Sequence, residues 1–256
     1  MAGDQLVTAV RQQLGLGRLL PLGGPADGAW IAERPAAGVL REAGDALPGL
    51  RVGTVRLSLA APDAAPEPSV PAPPSALPPG PLRIEADFAA TADRPVPASA
   101  GLLREALLTC CAERLGLEVS AVDLRATDLL DEDEGKGDSG DGSRGEGGGD
   151  ASGMGGGPET AGTAPGQAGA TAESADPLET AVLRVPGVVR LVPALGALSR
   201  PVRHEDGHVL VQLAVAADRR ALDVARAVRG AVATAAGEER PTVAVLVAAL
   251  EPPAAS

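Results

Sequence analysis

The sequence predicts an α+β chain made of two related small units, each a short mixed or antiparallel sheet covered by helices. Three observations predict it. Leu47-Pro48-Gly49-Leu50 recurs as Val185-Pro186-Gly187-Val188. Behind each copy come an apolar strand-like run, a second such run, an Ala/Leu/Val-rich helical stretch and a closing apolar strand. Between the copies, over residues 131–175, large apolar side chains almost vanish. The expected organisation is a first unit over 1–130, carrying an N-terminal helix, a hairpin and a Pro-rich loop at 60–81. A disordered linker over 131–175, a second unit over 176–251 and a tail over 252–256 follow. Two half-covered sheets each need a partner surface, which a pseudo-twofold pairing of the units would supply.

The elements follow in order. Residues 4–14 read as a helix, with Asp4 as cap and Leu6, Val7, Val10 and Leu14 on one face. Leu19–Leu22 and Ala29–Ala32 flank Gly23-Gly24-Pro25-Ala26-Asp27-Gly28, which is turn chemistry between two apolar segments and predicts a hairpin. Residues 34–46 form a helix with Pro35 in its first turn, and Pro48-Gly49 stops it. Val52, Val55, Leu57 and Leu59 mark a strand. The nine prolines between Ala60 and Pro81 predict an extended, solvated loop barred from any sheet interior. Leu82–Ala90 alternates, with Leu82, Ile84, Ala86 and Phe88 on one side and Arg83, Glu85 and Asp87 on the other. A helix over 99–115, ended by Gly116, and a strand over 119–126 close the first unit.

Residues 131–175 offer nothing to offset the entropy of ordering, hence the linker assignment. In the second unit a short helix spans 178–185 and a strand spans 188–192. A ribbon over 198–203 turns at Glu205-Asp206-Gly207 and returns as a strand over 208–216. A helix over 218–236 carries Leu222, Ala225, Val228, Val232 and Ala235 on one face. The last strand, 242–250, is almost wholly apolar, which predicts burial on both sides.

Composition excludes several functions. Hydrophobic residues make up 45% of the 256, enough for a core, but Ala and Val supply most of them. Trp30 and Phe88 are the only aromatic residues, too few for stacking on single-stranded nucleic acid. A net charge of −12 opposes a phosphate backbone, so no nucleic-acid partner is expected. There is no basic segment ahead of an apolar stretch and no run near the ~18 apolar residues a spanning helix needs. A cytoplasmic location without direct membrane insertion is therefore expected. Cys110 and Cys111 are adjacent on a helix, with Cys111 in the stripe Leu103, Leu107, Leu115. They read as buried thiols serving as small hydrophobes.

The helix, Pro-Gly-Val-like turn, two strands, amphipathic helix and final strand resemble the alkaline-shock, general-stress envelope family of Gram-positive bacteria. Residues 28–59, from Gly28-Ala29-Trp30-Ile31-Ala32-Glu33 through Leu47-Pro48-Gly49-Leu50, resemble the family's opening. Residues 178–250 resemble the rest of its unit. The whole chain is also similar to uncharacterised actinobacterial proteins, some of which carry a baculovirus fibre-protein label; no heptad pattern here supports a fibre. The family resemblance implies a non-enzymatic cytosolic protein tied to envelope stress, with no invariant functional residue to carry over. The duplication, the proline loop and the acidic linker depart from the family pattern.

His204-Glu205-Asp206-Gly207-His208 is a literal H-E-x-x-H. In zinc proteases that spacing works because a helix stacks both imidazoles one turn apart, with the Glu as base. Here Asp206-Gly207 is a turn dipeptide followed by a strand, so the histidines belong across a hairpin, and Glu238 or Glu239 would have to complete a metal site. Gly15-Leu16-Gly17 lacks the strand-loop-helix context of a phosphate loop, and Asp131–Glu134 lacks calcium-loop spacing. Arg219, Arg226 and Arg229 lie near one face of the last helix, with Asp223 placed to pair with Arg219. They are the candidate surface for an acidic partner or for the chain's own linker. No cofactor, metal or catalytic residue is expected. The expected function is a non-catalytic scaffold or adaptor with a protein partner or self-association. A small-molecule-binding regulatory module is the alternative, and a zinc hydrolase built on His204, Glu205 and His208 the remote one.

Overall fold

The structure is a computed structural model that describes residues 17–131, 176–195, 200–237 and 240–252. The helix expected over 4–14, all but the first residue of the expected linker, and residues 253–256 of the tail lie outside the described residues. In chain order the elements are β1 (Leu19–Pro21), β2 (Ala29–Ala32), α1 (Glu33–Asp45), β3 (Leu50–Leu59), β4 (Leu82–Thr91), α2 (Val96–Cys110), β5 (Val119–Leu130), α3 (Pro177–Leu183), β6 (Val188–Leu191), β7 (Val202–Glu205), β8 (His208–Ala216), α4 (Ala221–Ala235) and β9 (Thr242–Glu251). A π-turn, Cys111–Leu115, extends α2, and Gly116 N donates to Cys111 O at its end.

The two Pro-Gly corners occupy the same place in the same motif. Each follows a helix, α1 or α3, and starts a strand that pairs antiparallel with the next long strand. That strand then pairs parallel, across a helix, with the last one: β4 with β5 and β8 with β9. Leu50 N donates to Leu47 O at 3.2 Å, and Val188 N donates to Val185 O at 3.1 Å. Gly49 O accepts from Thr91 N, and Gly187 O accepts from Ala216 N, both at 2.9 Å. Thr91 and Ala216 each end their strand, so the two corners close on equivalent residues. One bulge coincides: the parallel register slips after Phe88 in one copy and after Leu213 in the other, each three residues before the strand ends, whereas the slip after Leu82 has no counterpart in the second copy.

These corners need glycine. Gly49 has φ +74° and Gly187 φ +95°, a region that L side chains avoid. A Cβ on Gly49 would collide with the Thr91 hydroxyl, and one on Gly187 would lie 2.8 Å from Val224 Cγ2.

The first copy makes a three-stranded sheet in the order β3-β4-β5. Its inner face (Leu50, Val52, Leu57, Leu82, Ile84, Phe88) packs with Leu40 of α1 and Leu103 and Leu107 of α2. Its outer face carries Arg51, Arg56, Arg83, Glu85, Asp123 and Arg125, as the alternation predicts for a sheet covered on one side only. The second copy sits in a six-stranded sheet, ordered β1-β2-β9-β8-β6, with β7 also on β8. Val209, Val211, Leu213, Val243, Val245 and Val247 join the same core as the first copy. Leu210, Ala244 and Leu246, on the other face, form a second cluster with Trp30 and Val70. The expected burial of β9 on both faces is what the structure has.

Two features differ from expectation. The hairpin at 19–32, assigned by sequence to the first unit, adds to the second copy's sheet. Ala29, Trp30 and Ile31 lie parallel to Val245, Leu246 and Val247. The physical reason is that β2 (Ala-Trp-Ile-Ala) is apolar on both faces and fits only where both are covered. The proline loop is not simply solvated either. It straps the second face of the six-stranded sheet, with Val70 buried over Trp30. Trp30 Nε1 donates to Leu77 O at 3.1 Å, Leu77 N donates to Leu19 O at 2.8 Å, and Leu19 bridges Ala76. Prolines keep this segment out of a sheet interior. They leave its carbonyls free to accept and its few apolar side chains free to bury.

Gly49→Ala and Gly187→Ala should each lower unfolding free energy by at least about 1 kcal/mol in urea melts. Gly101→Ala, in α2 with open space around it, should leave stability unchanged or raise it by up to about 1 kcal/mol.

Candidate functional site

Two of the three arginines singled out from the sequence are engaged by the chain itself. Arg226 Nε donates to Asp27 Oδ1 at 2.7 Å, and its Nη2 donates to Oδ2 at 3.1 Å. Arg229 Nη1 donates to the carbonyls of Ala26 and Asp27, and its Nε donates to Val243 O at 3.0 Å. Together they fasten the β1–β2 turn to α4. Asp27 Oδ2 also accepts from Gly24 N at 2.8 Å, so the carboxylate orders its own turn. The Arg226 guanidinium, above all, holds the Asp27 carboxyl below its ordinary range, against the opposing effect of burial.

Arg219 stands apart, its side chain 61% exposed and 3.8 Å from Asp218. The expected Arg219–Asp223 pair is replaced. Asp223 pairs with Arg220 at 3.1 Å and approaches Arg226 at 3.9 Å. Arg220 is turned that way because its Nε donates to Ala112 O at 2.7 Å, tying α4 to the end of α2.

The H-E-x-x-H segment lies on the β7–β8 hairpin. Asp206 (φ +49°) and Gly207 (φ +73°) make the turn, Glu205 sits opposite His208, and His204 sits opposite Val209. Residues directly opposite one another share a face of the ribbon, so the two imidazoles project to opposite faces. His208 Nδ1 lies 2.8 Å from Thr242 Oγ1, and burial pushes its pKa down. Glu205 pairs with Arg203. Glu238 and Glu239 lie outside the described residues, as do Gly15, Leu16 and Asp133. Among the described residues no group of three or more His, Cys, Asp or Glu is placed to hold a metal ion.

Cys110 and Cys111 are free thiols and buried. Desolvation pushes Cys111 up to about 12, and Cys110 is raised by the same cause. Both shifts favour the protonated thiol in the folded chain.

Sequence reasoning missed a groove between α1 and α2. Ala43 and Leu47 form one wall; Leu102, Ala106 and Thr109 form the other. Leu102 is 41% exposed, large for a leucine inside a helix. Glu105 and Glu113 stand on the rim, and Arg114 spans it to Glu42 at 3.4 Å. The groove holds about 390 Å³ and presents mostly apolar surface. The signal was present in the sequence: Leu102 falls off the stripe of Leu103, Leu107 and Leu115, and no charge replaces it. A second open groove, between the two copies, is lined by Pro35, Val39, Leu250 and Pro252 and is likewise mainly apolar. No described helix is long and apolar enough to cross a membrane.

In comparisons with known proteins, no family model, no curated protein and no solved structure matches the chain.

A double-mutant cycle of Asp27→Asn and Arg226→Met should give a coupling of about 1 kcal/mol, the upper end for a bidentate pair half open to water. Because the folded Asp27 pKa is depressed, its contribution is complete above the unfolded value near 4 and is lost as pH falls through the lower folded value. Asp27→Asn should therefore shallow the acid limb of stability against pH, measured by urea melts from neutrality downward.

Proposed function

We propose that this chain is a non-catalytic cytosolic adaptor that takes a helical segment of a partner protein in the groove between α1 and α2. The carrying observation is the apolar lining of that groove, with Leu47 on one wall facing Leu102 and Ala106 on the other and Leu102 41% exposed. An apolar groove rimmed by charge suits the apolar face of an amphipathic helix. The rim selects the partner's chemistry. Arg114 is already paired with Glu42, which leaves Glu105 and Glu113 as the net charge, so the partner helix is basic along its polar edge. The resemblance of the sequence to the alkaline-shock, general-stress envelope family is what supports the non-enzymatic part of this reading and suggests a link to cell-envelope stress.

Immobilised wild-type protein should retain a partner from lysate of stressed source cells that Leu102→Asp retains at least about 10-fold less and Arg51→Glu, on the far sheet face, retains equally. The retained segment should be basic and amphipathic. A set of bound proteins identical for wild type and Leu102→Asp would refute the groove, and a transcript indifferent to alkaline and cell-wall stress would refute the stress assignment.

A further inference from the structure

The two copies of the repeated motif treat the outer edge of their last strand differently. In the second copy, the edge of β9 that faces away from β8 is filled by β2. In the first copy, β5 is the equivalent strand, and its edge facing away from β4 pairs with no strand among the described residues. That edge is long, at 12 residues, and contains neither Pro nor Gly. Natural edges of this length are usually blunted by proline, a bulge at mid-strand or inward-pointing charge. Here β5 has an extra residue at Ser120 and another at Thr127, but the register to β4 between them runs without a break from Ala121 to Ala126, and Leu129 is 63% exposed.

We infer that β5 pairs with β5 of a second copy of this chain, antiparallel and centred on Leu124, joining two three-stranded sheets into one across a twofold axis. The sequence of the strand is self-complementary in that register. Asp123 falls opposite Arg125 of the second copy, and Arg125 opposite its Asp123. Leu124 meets Leu124, Val122 meets Ala126, and Val119 meets the exposed Leu129. Directly opposed residues share a face, so both Asp–Arg pairs lie on the outer, charged face where these side chains already are. Asp123 reaches Arg83 at 3.0 Å within its own chain, whereas Arg125 has no hydrogen bond or ion pair among the described residues. The second copy's Asp123 supplies one.

The backbone agrees with this register. Val122 O accepts from Arg104 Nη2 at 3.4 Å, a long contact to a side chain reaching past the strand from α2, which places that carbonyl on the open edge. Residues 122, 124 and 126 turn their N–H and C=O groups the same way, so pairing about Leu124 gives about six ladder hydrogen bonds. It also leaves 123 and 125 as the closely approaching, non-hydrogen-bonded pairs, where opposite charges count most. The inference uses the β5 edge alone and stands independently of the groove between α1 and α2.

Charge reversal tests it. Sedimentation velocity of the full chain, at concentrations up to about 100 µM, should show a dimer. Asp123→Arg and Arg125→Asp each set like charges opposite one another and should weaken it at least about 10-fold. The two single variants mixed should form a 1:1 heterodimer, because each then opposes the other's charges, and the double variant D123R/R125D should dimerise like wild type. A wild-type chain that stays monomeric over this range would overturn the inference. So would a dimer that both single reversals leave intact, or single variants that fail to associate when mixed although their melting shows them folded.

Discussion

The structure depends on finding neighbours for β9. Its valines, Val243, Val245 and Val247, face one way, and Ala244 and Leu246 face the other; all five are buried. Each buried valine or leucine contributes on the order of 1.5–3 kcal/mol relative to exposure, so neither face can be left to water. Its backbone groups are equally demanding, since an unpaired buried N–H or C=O costs about 1–3 kcal/mol. Its own copy supplies one neighbour, β8. The other neighbour, β2, comes from the far end of the chain and is itself too apolar to stand at an edge. The turn that leads into β2 is pinned to α4 by Arg226 and Arg229, and Trp30 is capped from above by the proline strap. Meeting that one requirement draws the two halves into a common core.

The same requirement explains why two copies of one motif have such different surfaces. Register aligns Asp123 and Arg125 of β5 with Ala244 and Leu246 of β9, and Glu85 and Asp87 of β4 with Leu210 and Gln212 of β8. In the second copy Leu210, Ala244 and Leu246 lie beneath Trp30 and the strap. Gln212 is the polar exception, and it is fully buried: its Oε1 accepts from Ala194 N and Leu195 N, and its Nε2 donates to Arg200 O. In the first copy nothing described covers them, and they are charged. The second copy is invested in the interior, and the first presents what the outside meets: a charged sheet face, an open strand edge and the groove between its helices.

Much of this was legible in the sequence where the determinants are local. The Pro-Gly corners, the alternation of Leu82–Phe88, the Asp206-Gly207 turn and the double-faced apolarity of 242–250 all depend on residues within a few positions of one another. The H-E-x-x-H spacing could be read as a hairpin for the same reason. What sequence could not show was pairing at a distance. That Ala29–Ile31 adds to Val245–Val247, or that Asp27 takes Arg226, rests on contacts across about two hundred residues with no local signature. The arginines of α4 looked like a free basic face because their carboxylate and carbonyl partners are so remote in the chain. The proline strap is not legible in the sequence because composition reports backbone preference but not where a lone Val70 finds a hydrophobic neighbour.

The common core can be tested with probes the chain already carries. Trp30, the sole tryptophan, reports on the six-stranded sheet, and Cys110 and Cys111 report on α2 over the three-stranded one. Urea unfolding followed by Trp30 fluorescence, and in parallel by the exposure of the two thiols to a pulsed alkylating reagent, compares the two regions in one molecule. A shared core predicts coincident transitions with one midpoint. Thiols that become reactive well before the tryptophan signal changes, or well after, would mean that the two sheets fold apart and that the hairpin does not bind the halves together.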